Sequence, residues 1–104
     1  MTEKMADQPT RIALVTGANR GIGFEVCRQL ASRGFIVFLT AREAGKARTA
    51  AGKLATAGTV EPLLLDVADP QSIQNAADEV KKRYGYLNVL VNNAGINYDT
   101  WQTA

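Results

Sequence analysis

Four short apolar segments alternate with stretches of helical spacing along this chain. The apolar segments are predicted to be strands, and they are Ile12–Val15, Ile36–Leu39, Val60–Leu65 and Val89–Val91. Their apolar residues are mostly continuous rather than alternating with polar ones, which is typical of strands covered on both faces of a parallel sheet. The pattern therefore predicts an α/β fold with a doubly wound parallel sheet.

The first predicted helix follows the first strand. Ile22, Val26 and Leu30 recur at helical spacing with Cys27 beside them, and Gly34 is expected to cap the end of the helix. Cys27 is the only cysteine, so an internal disulfide or a cysteine metal site is excluded, and we interpret it as a core residue.

Two more helices are predicted between the later strands. The second covers about residues 43–57 and should be the least stable, because it contains glycines. The third begins at Asp69-Pro70, an N-cap followed by proline at the first helical position, and stops at Gly85. The apolar positions that align along this third helix are Ile73, Ala77, Val80 and Tyr84.

Alternating strands and helices imply right-handed crossovers between parallel strands, and the strand order is 3-2-1-4 if the Rossmann arrangement holds. Pro62 agrees with this order, because proline belongs on an edge strand and the third strand is then at the edge. We expect residues 1–10 to be a polar tail and residues 11–104 to form one dinucleotide-binding domain.

Composition excludes several kinds of chemistry. The 104 residues contain no histidine, which removes the Ser-His-Asp arrangement and histidine metal sites. The net charge is +2 and is spread along the chain, so nucleic acid is not an expected partner. The sequence shows neither a signal peptide nor a long apolar run, and we expect a cytoplasmic protein without membrane contact.

Three glycines follow the first predicted strand, at Gly17, Gly21 and Gly23. Such a turn lets the backbone approach a ligand, and the following helix N-terminus suits a pyrophosphate. A Walker A loop does not fit, because the Gly-Lys pairs at Gly45 and Gly52 lack its other residues. The glycines therefore favour a dinucleotide, although a purely structural strand-to-helix turn stays open.

Further motifs occur where later strands end. The pattern T-G-x-x-x-G-I-G from Thr16 is followed by LDV at Leu65–Val67 and by NNAG at Asn92–Gly95. From Arg11 to Gly95 this set resembles the N-terminal half of the short-chain dehydrogenase/reductase family. The resemblance implies that the glycine turn lines the pyrophosphate, that Asp66 and Val67 approach the adenine, and that Asn93, Ala94 and Gly95 border its ribose. The cofactor contacts expected in this way are Gly17, Asn19, Arg20, Gly21, Ile22, Gly23, Arg42, Asp66, Val67, Asn93, Ala94 and Gly95.

The cofactor is expected to be NADP(H). An NAD site usually has an acidic residue at the end of the second strand, but this chain has Arg42 there. Arginine pairs well with the 2′-phosphate of NADP, and Arg20 could reach the same phosphate. The ANRG and TAR segments resemble carbonyl-reductase-like members of the family. Glu43, next to Arg42, leaves NAD(H) open as a second cofactor.

Catalytic residues are not predicted in this chain. Family members use a tyrosine with a lysine four residues later, but Tyr84, Tyr86 and Tyr98 are followed at that spacing by asparagine, leucine and glutamine. We therefore expect the cofactor half of an oxidoreductase that transfers hydride between a nicotinamide and a small carbonyl or alcohol substrate. On its own, this half is expected to be inactive.

Other functions are weighed against this one. The chain could be a non-catalytic dinucleotide-binding or interaction module that associates through an exposed sheet edge, or it could pair with a polypeptide that supplies the missing half. Tyr98 and Trp101 could cover the exposed sheet or begin a substrate loop. A methyltransferase is disfavoured, because S-adenosylmethionine has no phosphate for Arg42.

Overall fold

The computed structural model describes residues 9–94, in which four strands and three helices alternate. These elements are β1 (Ile12–Val15), α1 (Gly21–Ser32), β2 (Ile36–Ala41), α2 (Ala44–Lys53), β3 (Thr59–Leu64), α3 (Pro70–Arg83) and β4 (Val89–Val91). All pairs of neighbouring strands are parallel, and their order is β3-β2-β1-β4. The predicted α/β class and the 3-2-1-4 order are confirmed.

The sheet separates two apolar cores. One core lies with α1 and α2 and includes Val15, Cys27 and Leu39. The other lies with α3 and includes Leu14 and Phe38. Alternate residues of one strand enter opposite cores because successive side chains point to opposite faces of a sheet. Burial on both faces explains why the central strands have continuous apolar sequences.

The helix ends follow the predicted signals. Gly34 has φ +91° and follows Arg33, the C-cap residue of α1, and its N–H donates to the carbonyl of Ala31 at 3.0 Å. Asp69 caps α3 by accepting a hydrogen bond from the N–H of Gln71 at 3.0 Å. Pro62 lies on β3, which is an edge strand. These three local predictions are confirmed.

The end of α2 differs from its prediction. The helix stops at Lys53 rather than near residue 57, and two turns lead into β3. Gly58 passes so close to α1 that a Cβ at this position would lie 2.5 Å from the carbonyl oxygen of Ala31. The chain must leave α2 early to make this close approach, a tertiary constraint that the sequence pattern does not show.

The buried faces of α1 and α3 are also rotated from the predicted apolar stripes. On α1 the buried residues are Gly23, Cys27 and Ala31, and Ile22 is 59% exposed. On α3 the buried residues are Ser72, Ala76 and Val80, of which Val80 was predicted. Small residues contact the sheet because they let the helix backbones approach it closely, while larger apolar side chains lie at the margins.

An open apolar groove runs between α3 and β4. Its volume is about 590 Å³, and several of its side chains are exposed, among them Ile73 at 46% and Leu90 at 61%. The other apolar side chains of this groove are Leu14, Leu65, Val67, Ala76, Ala77, Val80, Tyr86 and Leu87. Among residues 9–94, no helix has both the length and the apolar character needed to cross a membrane.

Candidate functional site

The predicted binding residues lie at the carboxyl ends of the parallel strands. The glycine turn follows β1, Arg42 follows β2, the Asp66-Val67 pair comes just after β3, and Asn93 and Ala94 follow β4. Because all four strands are parallel, these residues share one edge of the sheet, where open α/β sheets bind their ligands. Gly95, also predicted as a contact, lies outside the described residues.

The three glycines of the turn face different surroundings. Gly17 has φ +56° and Gly21 has φ +68°. A Cβ on Gly17 would lie 2.9 Å from the Cβ of Ala94, and one on Gly23 would lie 2.7 Å from Nδ2 of Asn93. A Cβ on Gly21 would meet no described atom within 4 Å. Gly17 and Gly23 thus make room for the end of β4, while Gly21 faces open space.

Hydrogen bonds join the end of β4 to this turn. The side-chain amide of Asn93 donates to the carbonyl of Gly17 at 3.0 Å. The backbone N–H of Ala94 donates to the hydroxyl of Thr16 at 2.9 Å. Thr16 is buried, at 4% exposure, so these contacts fix the two loops relative to each other.

Thr40 fixes the same turn from the other side. Its hydroxyl donates to the carbonyl of Val15 at 2.9 Å, and its carbonyl accepts from the N–H of Ala18 at 2.7 Å. Thr40 is fully buried near the end of β2. It therefore holds the chain on both sides of the point where β1 becomes the glycine turn.

The three buried polar residues of the described chain are Thr16, Thr40 and Ser72, and all three serve this edge of the sheet. The third, Ser72, accepts a hydrogen bond from the backbone N–H of Asp66 at 2.8 Å. Sequence reasoning did not assign these supporting roles. The sequence did contain a signal for these roles. Thr16 and Thr40 are hydroxyl residues at the ends of apolar strands, and Ser72 is a hydroxyl residue in the first turn of α3.

The edge offers positive potential to an anion. Within residues 9–94, Arg20 and Arg42 form no ion pair, whereas Glu43 pairs with Lys46 at 3.5 Å. In the same region, α1 begins without a side-chain cap or an acidic residue in its first turn. Its first N–H groups and the helix dipole therefore favour a phosphate at this end.

A polar cleft extends from this edge between β3 and α3. Its volume is about 560 Å³, and Arg42, Asp66, Ser72 and Asn75 contribute to its wall. A guanidinium and a carboxylate thus share one cavity at the ends of adjacent strands. This combination can bind a ligand that carries both an anionic group and a hydrogen-bond donor.

The described tyrosines are engaged away from this edge. The Tyr84 hydroxyl is hydrogen-bonded to Glu61, which with burial raises the pKa of Tyr84. The Tyr86 hydroxyl donates to the carbonyl of Thr10. Tyr98 lies outside the described residues, as does Trp101. Residues 9–94 contain no group of three or more acidic or sulfur ligands that could hold a metal.

Comparison with known proteins shows the class to which this fold and site belong. A family model described as short chain dehydrogenase matches residues 11–104, and the chain belongs to this family. It is 52% identical to (+)-neomenthol dehydrogenase of Arabidopsis thaliana over 97 residues, which are 88% of this chain and 33% of that protein.

Solved structures agree with the family and the fold. Menthone neomenthol reductase from Mentha piperita superposes with a TM-score of 0.81 and 44% identity, over 86% of this chain and 33% of the reductase. RhlG from Pseudomonas aeruginosa, in a complex with NADP, gives a TM-score of 0.79 and 33% identity over 89% of this chain and 38% of its own. The present chain thus spans about a third of the length of these proteins.

Proposed function

We propose that this chain is the NADP(H)-binding part of a short-chain dehydrogenase/reductase. The observation that carries the proposal is the edge formed by the turn at Gly21, the uncapped start of α1 and Arg42. A pyrophosphate fits the turn and the helix start, because no side chain caps the first N–H groups of α1 and Gly21 faces open space. We assign residues 11–104 to this dinucleotide-binding unit.

NADP(H) is preferred over NAD(H) because Arg42 and Arg20 can neutralise a 2′-phosphate. Each hydrogen bond to such a charged group contributes roughly 1.5–3 kcal/mol. The NADP complex of RhlG supports this preference through its structural similarity. Binding of NAD(H) stays open because the Glu43 carboxylate, which is mainly solvent-exposed, could accept hydrogen bonds from an unphosphorylated ribose.

The remaining predicted residues surround the adenosine. Asp66 and Val67 contact the adenine, and Asn93, Ala94 and Gly95 border its ribose. Asn19 and Ile22 complete the turn around the pyrophosphate and the nearby ribose. The contacts of Thr16 and Thr40 support this assignment, because they hold the turn in place before any ligand binds.

The parent activity would be hydride transfer between the nicotinamide and a small carbonyl or alcohol. The nicotinamide supplies the hydride chemistry when it is bound, and this chain supplies binding and orientation. Because the sequence lacks a tyrosine with a lysine four residues later, we expect the 104 residues alone to show no turnover. We place this protein in the cytoplasm.

Calorimetric titration of the 104-residue chain with NADPH, and separately with NADH, tests the cofactor proposal. We expect saturable binding of NADPH and at least tenfold weaker binding of NADH, a difference of about 1.4 kcal/mol. Equal affinities for NADPH and NADH would contradict a contact between Arg42 and the 2′-phosphate. Failure to bind either cofactor would refute a self-sufficient site in this chain.

A second candidate function is a non-catalytic binding or interaction module. The exposed apolar groove and the edge strand β4, which pairs only with β1 among the described residues, favour it. A polypeptide that supplies the rest of the fold could also bind there. Carbonyl reduction that appears only after mixing with such a polypeptide would support the enzyme, and saturable NADPH binding without turnover in any mixture would support the module.

A further inference from the structure

A buried hydroxyl group from α3 fixes the loop that follows β3. The backbone N–H of Asp66 donates to Oγ of Ser72 at 2.8 Å, and Ser72 is only 9% exposed. Ser72 lies in the first turn of α3, directly after Pro70 and Gln71. The backbone of Asp66 is therefore held by a side chain on a neighbouring, rigid element.

The same loop commits only one oxygen of the Asp66 carboxylate. Oδ1 accepts from the N–H of Ala68 at 3.0 Å, and the carbonyl of Asp66 accepts from the N–H of Asp69 at 3.0 Å. Residues 9–94 provide no hydrogen bond to the second carboxylate oxygen. This half-buried side chain is thus fixed in orientation while keeping one acceptor available.

We propose that Ser72 is a positioning residue that aims the available carboxylate oxygen of Asp66 at the amino group of an adenine. The inference rests on the proposed function, in which Asp66 contacts the adenine, and Ser72 acts on the base through Asp66. Asp66 and Ser72 line one cleft together with Arg42, so the base and the 2′-phosphate would be read at the ends of adjacent strands.

The chemistry of the carboxylate determines which base this arrangement prefers. An ionised carboxylate only accepts hydrogen bonds, so it favours the amino group of adenine over the carbonyl that hypoxanthine has in the same place. Without Ser72, the Asp66 N–H loses its described partner, and the loop can rotate the carboxylate away from the base. The preference for adenine should then weaken, while contacts to the phosphates remain.

The test compares NADPH with its analogue that carries hypoxanthine instead of adenine, by calorimetry on the 104-residue chain. The wild type should bind NADPH more tightly than the analogue. Ser72→Ala should reduce this ratio of affinities roughly three- to tenfold, as expected for the loss of one neutral hydrogen bond. Ser72→Thr, which keeps an acceptor oxygen, should retain the wild-type ratio.

Ser32→Ala is the matched control, because the Ser32 hydroxyl is on α1 and donates to the carbonyl of Arg28 at 2.9 Å. A variant that is only partly folded binds both nucleotides more weakly by the same factor, so the ratio separates positioning from general destabilisation. Exchange of the Asp66 amide proton, followed by NMR without ligand, should become faster in Ser72→Ala and stay unchanged in Ser32→Ala.

If Ser72→Ala leaves the ratio of the two affinities unchanged, whether or not both affinities fall, the positioning role alone is overturned. A wild-type chain that binds neither nucleotide would overturn the proposed function and this inference with it. A lowered ratio in Ser72→Ala that Ser72→Thr restores supports both.

Discussion

The side-chain amide of Asn93 donates a hydrogen bond to the carbonyl of Gly17 at 3.0 Å across a sequence separation of 76 residues. This bond joins the end of β4 to the glycine turn after β1. It passes beside Gly23, where an added Cβ would lie 2.7 Å from the amide nitrogen of Asn93. Gly23 is therefore required by the packing of the protein itself, whereas a Cβ on Gly21 would meet no described atom within 4 Å.

Gly23→Ala should destabilise the fold. Its Cβ would meet the amide of Asn93 and also two backbone atoms at 3.0 Å, the Cα of Ala18 and the carbonyl oxygen of Gly17. Overpacking of this kind typically costs about 1–3 kcal/mol. Urea unfolding measures the change.

Gly52→Ala is the matched control for that experiment. Gly52 is exposed on α2, and a Cβ there would meet no described atom within 4 Å. Helix propensity predicts a gain of up to about 1 kcal/mol in the free energy of unfolding. If both variants shift the unfolding midpoint in the same direction, the close contact at Gly23 does not determine the stability change in Gly23→Ala.

Gly21→Ala should separate strain from ligand binding. Gly21 has φ +68° and Gly34 has φ +91°, and a Cβ on either would meet no described atom within 4 Å. Alanine in a left-handed conformation costs roughly 1–2 kcal/mol, so both substitutions should lower the free energy of unfolding similarly. Only Gly21→Ala should weaken NADPH, by about tenfold or more, because its methyl group enters the space left for the ligand. Similar losses of affinity in both variants would contradict this assignment.

Arg42→Ala tests the cofactor preference. Loss of a charged hydrogen bond to the 2′-phosphate, worth roughly 1.5–3 kcal/mol, should weaken NADPH at least tenfold and leave NADH nearly unchanged. Arg33→Ala is the control, because Arg33 is exposed at the opposite end of α1. Titration calorimetry with both cofactors gives the affinities, and equal losses for NADPH and NADH in Arg42→Ala would rule out the phosphate contact.

Local signals in the sequence were enough for most of the fold. Gly34 and Pro62 act through their own backbone geometry, and the Asp69 side chain caps α3 by bonding only two residues along the chain. Their roles could therefore be predicted without knowing their neighbours in the fold. The strand order followed from the Rossmann arrangement that the alternating strands and helices indicate, and Pro62 agreed with it by lying on the edge strand β3. The positions of Arg42 and Asp66 at one edge followed in turn from the parallel order of β2 and β3.

Tertiary contacts account for what the sequence did not reveal. The early end of α2 depends on Gly58 passing against Ala31, a contact between residues far apart in the chain. The hydroxyl of Ser72 accepts from the N–H of Asp66, six residues earlier, because of the conformation of the loop between β3 and α3. The spacing of apolar residues also does not determine which side of a helix packs against the sheet. Small residues such as Cys27 and Ala31 let the backbone of α1 lie closest to the sheet, so their side of the helix is buried.

Cys27 should react slowly with alkylating reagents in the folded protein. Its side chain is fully buried, and burial raises the pKa of the thiol from 9.0 to about 12. Because the thiolate is the nucleophile, iodoacetamide should label the chain only as urea unfolds it. Rapid labelling without urea would show that the core between α1 and the sheet opens readily.

The same thiol predicts a dependence of stability on pH. The folded state holds the thiol proton more tightly than the unfolded state, so the stability from the raised pKa is fully present below pH 9.0 and is lost as the pH rises toward about 12. The difference in unfolding free energy between the wild type and Cys27→Ala should therefore shrink over this range. A constant difference would contradict the raised pKa.

Leu90→Ser should reduce the affinity of the open groove for apolar molecules. Leu90 is 61% exposed on the groove, and Ile22, 59% exposed at the start of α1, lies outside it. Exposed apolar patches of this kind bind anilinonaphthalene sulfonate and promote association. The fluorescence of the bound dye should fall in Leu90→Ser and stay at the wild-type level in Ile22→Ser. Sedimentation should also show weaker self-association for Leu90→Ser, because the groove and the edge of β4 form one surface. If both variants respond equally, neither dye binding nor self-association depends on that surface.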